Sequence, residues 1–404
     1  MMTDPITGQL VVLVLQGGGA LGAYQAGLYE TMRAEGYDHG WVAGISIGGI
    51  NAAIIAGNAP EKRVPRLKEF WEQVSSTFLW KPLFGSDIHR PLFTSLSSAW
   101  AATFGVPGFF QPRFPSPFSP SAIPPQELSF YSTRPLKLTL ERLIDFDRIN
   151  AKETRLSLGA VNVKTGNFVY FDNWKETIRP EHVMASGAIP PGFPPIEIDG
   201  EFYWDGGLVS NTPIQYVLDQ ETERDILICQ VDLFPSRGDM PDNMMAAAER
   251  EKDIRYSSRS RLNTDVSLKD HQIKTSLRRL LDKLPPEFRT TPEYRALEPF
   301  AKENAITVVH FINRRRRSHS SVKDFEFSRV SMLEHWAAGR EDAAVSLNHR
   351  EWIRRRLPKH GVAVFDLGID KVTYTGADGK REVVDRPKDE GGKVISLSAT
   401  GRAR

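Results

Sequence analysis

Along the chain, short uninterrupted apolar runs alternate with stretches whose apolar residues recur every three or four positions. Leu10–Leu15 and Trp41–Ile45 are the first such runs. Each reads as a strand covered on both faces, since a half-exposed strand would alternate apolar with polar. A helix is expected after each, over about residues 21–35 and 49–56, and Val64, Leu67, Phe70, Trp71 and Val74 fall at helical spacing within 59–80. Residues 136–143 predict another helix. Residues 156–163 and 168–172, joined by Lys164-Thr165-Gly166-Asn167, predict a β-hairpin. Residues 182–186 read as a short helix, Asn211-Thr212-Pro213 as a polar cap and early proline opening another, and 226–233 and 306–312 as buried strands. Residues 329–347 predict a helix, and no internal repeat is visible.

Two segments depart from this pattern. From Lys81 to Gln126, aromatic residues such as Phe84, Phe93, Trp100, Phe109, Phe110 and Phe118 are interleaved with seven prolines between Pro82 and Pro120. Proline at that density argues against long helices or central strands, so an insertion loop spanning about 81–131 is expected. Two readings fit it: a flap packed on its own domain, or an apolar lid or wall over an acyl-binding cleft within reach of a lipid surface. Residues 242–284 are charged and helix-compatible, with Leu277, Leu280, Leu281 and Leu284 gathered near the end. They suggest an exposed arm or a dimer helix, which leaves a homo-oligomer open. The Arg314-Arg315-Arg316-Arg317 run reads as a solvated loop or an anion-binding patch, and residues 387–404 as a disordered tail.

Composition narrows the function class. At 404 residues, with 40% hydrophobic and 25% charged residues, the chain can bury a large α/β core, alone or with an accessory region. A net charge of +2 gives no argument for a nucleic-acid partner. The single cysteine, Cys229, excludes an internal disulfide and favours a reducing, cytoplasmic setting. The apolar run at residues 10–15 is too short and lacks the basic flank of a secretory signal, and nothing approaches a membrane span, so any membrane contact is expected to be peripheral.

Candidate chemistry lies at the ends of the first strands. Gly44-x-Ser46-x-Gly48 between a strand and a helix has the form of a nucleophile elbow, whose small flanking residues allow a strained serine; the plainer reading is a serine helix cap. Gly17-Gly18-Gly19, with Gly22, offers backbone N–H groups at a helix start. That loop fits either an oxyanion hole facing Ser46 or a dinucleotide site. The latter wants an acidic residue at the end of the second strand, whereas Asp38 precedes that strand. Asp205-Gly206-Gly207, after the aromatic Phe202-Tyr203-Trp204, could set a bare carboxylate at a strand end, or simply form a turn. An ordinary carboxylate, with a pKa of about 4, is a weak base for a serine hydroxyl. His182 and His39 are the rival bases, and no His, Cys or carboxylate spacing suggests a metal or another cofactor.

Taken in order, the three glycine-bearing motifs resemble the patatin-like phospholipase family. The resemblance runs from Leu10 to Leu218 and includes Ser186-Gly187-Ala188-Ile189-Pro190, Phe193-Pro194-Pro195, Gly200, Tyr203 and Asn211-Thr212-Pro213. It implies a three-layer α/β/α sandwich around a mostly parallel sheet. It also implies a serine acyl hydrolase acting on lipid-like esters, with Ser46 as nucleophile, Asp205 as base and Gly17, Gly18 and Gly19 as oxyanion hole. Gly22, Gly44, Gly48, Gly206 and Gly207 support these motifs. Family members often carry Arg or Lys where Leu21 stands, so the oxyanion site here would rest on backbone amides. The expected division is a catalytic domain over residues 10–218 and a C-terminal helical and mixed extension over 219–386 that completes the core and packs on it. Around Phe325-Glu326-Phe327 and His335-Trp336 this extension resembles a C-terminal region of some bacterial patatin-like proteins. The second functional class is a catalytically weak lipid-binding or scaffolding relative.

Overall fold

The computed structural model describes residues 3–76, 90–114, 124–220, 224–301, 304–314, 323–358, 361–367, 371–375 and 381–385. Expectations for Phe84, Phe118, residues 315–317 and the tail at 387–404 lie outside these residues. Strands β1 (Leu10–Leu15) and β2 (Trp41–Ile45) pair in parallel, each followed by a helix, Ala23–Ala34 and Ile47–Ala56 respectively. A tight turn at Gly19–Gly22 precedes the first of these helices. The side chains of β1 are divided between two cores. Val11, Leu13 and Leu15 join the large cluster that holds Tyr24, Ile50 and Trp71, whereas Val12 and Val14 pack with Ile214, Val217 and Leu218 on the other face. A sheet with apolar clusters and helices on both faces is the three-layer arrangement expected.

In the proline-rich segment, the two-residue strands β3 (Gln111–Pro112) and β4 (Tyr131–Ser132) pair with each other. The segment also contains a 15-residue helix, Arg90–Phe104, which corrects the expectation that its prolines exclude one. Those prolines stand at its borders. Pro91 occupies the first turn, where an amide has no intrahelical acceptor, and the next proline is Pro107, beyond the last turn.

Strand β5 (Arg155–Asn162) lies parallel to β2 and forms the expected hairpin with β6 (Phe168–Asp172). The short β7 (Ile196–Ile198) and β8 (Glu201–Asp205) make an antiparallel edge on β5. On the other side of β1, strands β9 (Ile226–Asp232), β10 (Ile306–Ile312) and β11 (Val362–Asp366) continue the sheet in parallel. The spatial order is β11-β10-β9-β1-β2-β5-β8-β7, with β6 on β5. Cys229 is buried in the middle of β9, where desolvation pushes its thiol upward and leaves it inert.

The charged segment folds as a 39-residue helix, Met244–Asp282, that lies along the body and does not project as an arm: Asp253, Ser257, His271, Thr275 and Leu281 are buried on one side of it. Helix Arg329–Leu347 crosses Ala23–Ala34 at backbone contact. A Cβ at Gly27 would overlap the Trp336 carbonyl, and one at Gly339 would overlap the Tyr24 carbonyl. Hydrogen bonds from Tyr24 Oη to Asp342 (2.9 Å) and from Trp336 Nε1 to Glu30 (2.7 Å) flank the crossing. Among the described residues no helix is long and apolar enough to cross a membrane.

Candidate active site

The turn after β2 has its shape for a steric reason. A Cβ at Gly44 would overlap the Gly48 carbonyl, and one at Gly48 would overlap the Leu15 carbonyl, so the helix start can lie this close to its own strand and to the end of β1 only if both are glycine. Ser46, between them, has φ 57° and ψ −127°. That conformation costs a residue with a side chain on the order of 1–3 kcal/mol. Hydrogen bonds on both sides hold it: the Ser46 amide donates to the Ser186 carbonyl (2.9 Å) and hydroxyl (3.1 Å), and its carbonyl accepts from the Gly49 and Ile50 amides (2.9 and 3.1 Å).

Strand register delivers the carboxylate. β5 runs past the end of β2, so Ile45 faces Gly159, and the next residue, Ala160, faces Asp205 at the end of β8. Asp205 and Ser46, far apart in sequence, thereby meet at the end of β2, within reach of a side-chain hydrogen bond. Gly206 is required there, since a Cβ would come to 2.7 Å from the Gly159 carbonyl. Asp205 accepts from the Gly207 amide (2.7 Å), and its own amide donates to the Ala188 carbonyl (3.0 Å). The residue is 3% exposed. Burial pushes its carboxyl up to about 6, against the Ser46 side chain and the Gly207 amide, whose hydrogen bonds act to lower it. Desolvation thus sets it above the ordinary carboxylate value near 4, an effect the sequence motif does not display.

The glycine loop lies against the same turn. Gly17 exchanges two hydrogen bonds with Asn211: its amide donates to the Asn211 carbonyl (3.1 Å), and its carbonyl accepts from Asn211 Nδ2 (3.0 Å). The Gly17 amide is therefore committed, while those of Gly18 and Gly19 make no hydrogen bond among the described residues. Gly19 has φ 55°, and a Cβ on it would overlap the Asp324 carbonyl. Gly22 is packed under Ile47 and Trp71. Asn211 is a site residue that the sequence placed at a helix cap. Helix Ile214–Asp219 instead opens on Pro213 without a side-chain cap.

The rival assignments separate from this centre. His39 is buried and, among the described residues, neither ring nitrogen has a hydrogen-bond partner; burial beside Arg63 and Arg33 holds it neutral, down at about 3. Burial also lowers His182, whose Nδ1 accepts from the Arg179 amide (2.9 Å). Neither histidine lines the cavity at Ser46. Asp38, the acidic residue a dinucleotide site would need, is tied to Arg63 (2.7 Å) and Arg33 (3.1 Å).

Ser46, Asp205 and the glycine loop open on a cavity of about 220 Å³. Phe109, Phe110, Ile189, Phe193 and Phe327 form an apolar wall, with ring centroids of Phe109–Phe193 at 5.8 Å, Phe110–Phe193 at 5.2 Å and Phe109–Phe327 at 5.8 Å. The wall is assembled from the proline-rich insertion, the Ile189–Phe193 segment and the C-terminal region. Phe234, Tyr256, Lys252 and Asp324 line another part of the same cavity.

The C-terminal region, residues 254–359, matches a family described as patatin phospholipase. No curated protein matches the chain. Among solved structures, VipD from Legionella pneumophila is similar at 12% identity, with 84% of this chain and 71% of that one covered and a TM-score of 0.34. The complex of SpcU with ExoU from the type III secretion system of Pseudomonas aeruginosa is similar at 13% identity, with coverages of 87% and 72% and a TM-score of 0.28. Residues 13–218, which carry the glycine loop, the serine turn and the strand-end aspartate, match the patatin-like phospholipase family, and the chain belongs to it.

Proposed function

We propose that the protein is a serine acyl hydrolase that cleaves lipid-like carboxylic esters through an acyl enzyme on Ser46, with Asp205 as the single general base. The observation that carries this reading is the strained Ser46 set against a buried carboxyl whose pKa is pushed up to about 6. Asp205 takes the proton of Ser46 Oγ as the oxygen attacks the ester carbonyl carbon, and the Gly18 and Gly19 amides receive the developing oxyanion. Protonated Asp205 then passes that proton to the departing alcohol. In the second half, Asp205 accepts a proton from water, whose oxygen attacks the acyl carbon, and the proton returns to Ser46 as the acid leaves. A base near 6 is better matched to both transfers at neutral pH than one near 4.

The apolar wall suits an acyl chain in the cavity. On helix Arg90–Phe104 of the insertion, Leu96, Trp100 and Phe104 are exposed, and we assign this face to peripheral contact with the lipid surface that supplies substrate. The test is hydrolysis of a short-chain nitrophenyl ester together with labelling by a fluorophosphonate probe. Wild type is expected to turn over and label. Ser46→Ala should lose labelling entirely, and Asp205→Asn should fall by about 10²–10⁴-fold in kcat. An intact wild type that neither hydrolyses nor labels, in solution or on vesicles, points to a binding relative and overturns the reading.

A further inference from the structure

We propose that Lys252 selects acyl esters that carry a negative charge close to the scissile bond, and that Asp324 is the residue that positions it. This rests on the reading of Ser46 as nucleophile. Among the described residues, three charged side chains line the cavity: Asp205, Lys252 and Asp324. Lys252 is the cation among these three, and it comes from the long helix Met244–Asp282, outside the segment that carries Ser46 and Asp205.

Its placement is fixed by contacts. The ammonium donates to Asp324 Oδ1 at 2.7 Å and lies 5.6 Å from the centroid of the Phe325 ring. The two side chains are 22% and 15% exposed, so the pair is largely withdrawn from water. Asp324 is itself anchored, because its carbonyl occupies the space a side chain on Gly19 would need. Lys252 is thus tied, through one residue, to the loop expected to hold the oxyanion. One turn further along the helix, Tyr256 packs on Phe234 with ring centroids 4.8 Å apart, and both line the same cavity.

Withdrawing an ammonium and a carboxylate from water carries a desolvation penalty that their mutual attraction offsets only in part. A pair held for packing alone could be replaced by apolar residues, whereas a lysine facing a substrate cavity offers one ammonium to several oxygens at once. Lys252 also comes from a different element than the catalytic pair, since Ser46 follows β2 and Asp205 ends β8, whereas Lys252 stands on helix Met244–Asp282. The group it reads therefore lies further along the substrate than the scissile carbonyl. A phosphate diester or a carboxylate attached to the alcohol side of the ester has this chemistry.

The experiment compares two soluble esters of equal chain length, dihexanoylglycerophosphoglycerol (anionic) and dihexanoylglycerol (neutral). Wild type should favour the anionic ester in kcat/KM. Lys252→Met should lower the anionic-to-neutral ratio at least tenfold, mainly through KM for the anionic ester. Lys252→Arg should keep most of the ratio, and Asp324→Asn should fall between them. A wild type without anionic preference overturns the proposal before any variant is made. So does a Lys252→Met protein in which both esters lose activity by one common factor, the result expected of a purely structural clamp. Binding of the two esters to Ser46→Ala protein, followed by tryptophan fluorescence, separates the two claims. Charge preference in binding without turnover by the wild type sinks the hydrolase reading alone, and turnover without charge preference sinks the role of Lys252 alone.

Discussion

At Ser46 the backbone is held in a region that only glycine occupies without strain. Ser46→Gly should therefore be more stable than Ser46→Ala by about 1–2 kcal/mol in urea denaturation, although both lack the nucleophile. Asp205 stores energy differently. Its folded pKa of about 6 lies above the ordinary 3.8, so between those values the folded state holds more protons than the unfolded one. Stability contributed by this group is present below about pH 4 and is lost as pH rises through about 6. Asp205→Asn should thus raise stability above pH 6 by roughly 1–3 kcal/mol and change little below pH 4, as thermal melts across pH would show. Ester hydrolysis should move the other way, falling about tenfold per pH unit below 6 as the base takes up its proton. Gly44, Ser46, Gly48 and Asp205 were legible in the sequence because each sits in a short pattern whose spacing reports a local steric demand. Asn211 and Lys252 were not, because what brings them to the cavity is packing between distant segments.

The proline-rich insertion shows where pattern reading stops at the level of an element. Its aromatic residues are alike in the sequence, yet Phe109 and Phe110 are buried in the cavity wall while Trp100, Phe104 and Phe114 face outward. What distinguishes them is the presence of Phe193 and Phe327 as partners, from other parts of the chain. Phe110→Ala should enlarge the cavity and shift the chain-length optimum of ester hydrolysis upward, with about 3–5 kcal/mol lost in stability. The crossing of helices Ala23–Ala34 and Arg329–Leu347 was hidden for a related reason. Both were expected as helices, but a mid-helix glycine does not announce which backbone it will touch. Gly339→Ala should press on the Tyr24 carbonyl and destabilise by about 1–3 kcal/mol. Because the helix continues the chain from Asp324 and Phe327, fluorophosphonate labelling should weaken in parallel with the melting temperature.

For the whole molecule, the strand types and the α/β class followed from the apolar runs, but the order of strands in the sheet did not. Runs of valine, isoleucine and leucine mark strands buried on both faces without saying which neighbours they take. The match that carries Ser46 and Asp205 ends at residue 218, whereas the second neighbour of β1 is β9, Ile226–Asp232. A chain cut after residue 218 would leave the edge of β1, Leu-Val-Val-Leu-Val-Leu, unpaired. Such an apolar edge recruits other strands, so the fragment should aggregate, as light scattering would show, while the full chain stays dispersed.

The same strand order sets a schedule for synthesis. β1 is made roughly 210 residues ahead of β9. At about 5–20 residues per second, the ribosome leaves that edge without its partner for roughly 10–40 s. During this interval β2 can already lie against one side of β1, but the sheet cannot close around it. A central strand of the finished fold thus waits longest for its second partner, and the protection of that edge in the cell falls to whatever shields nascent chains until Ile226–Asp232 emerges.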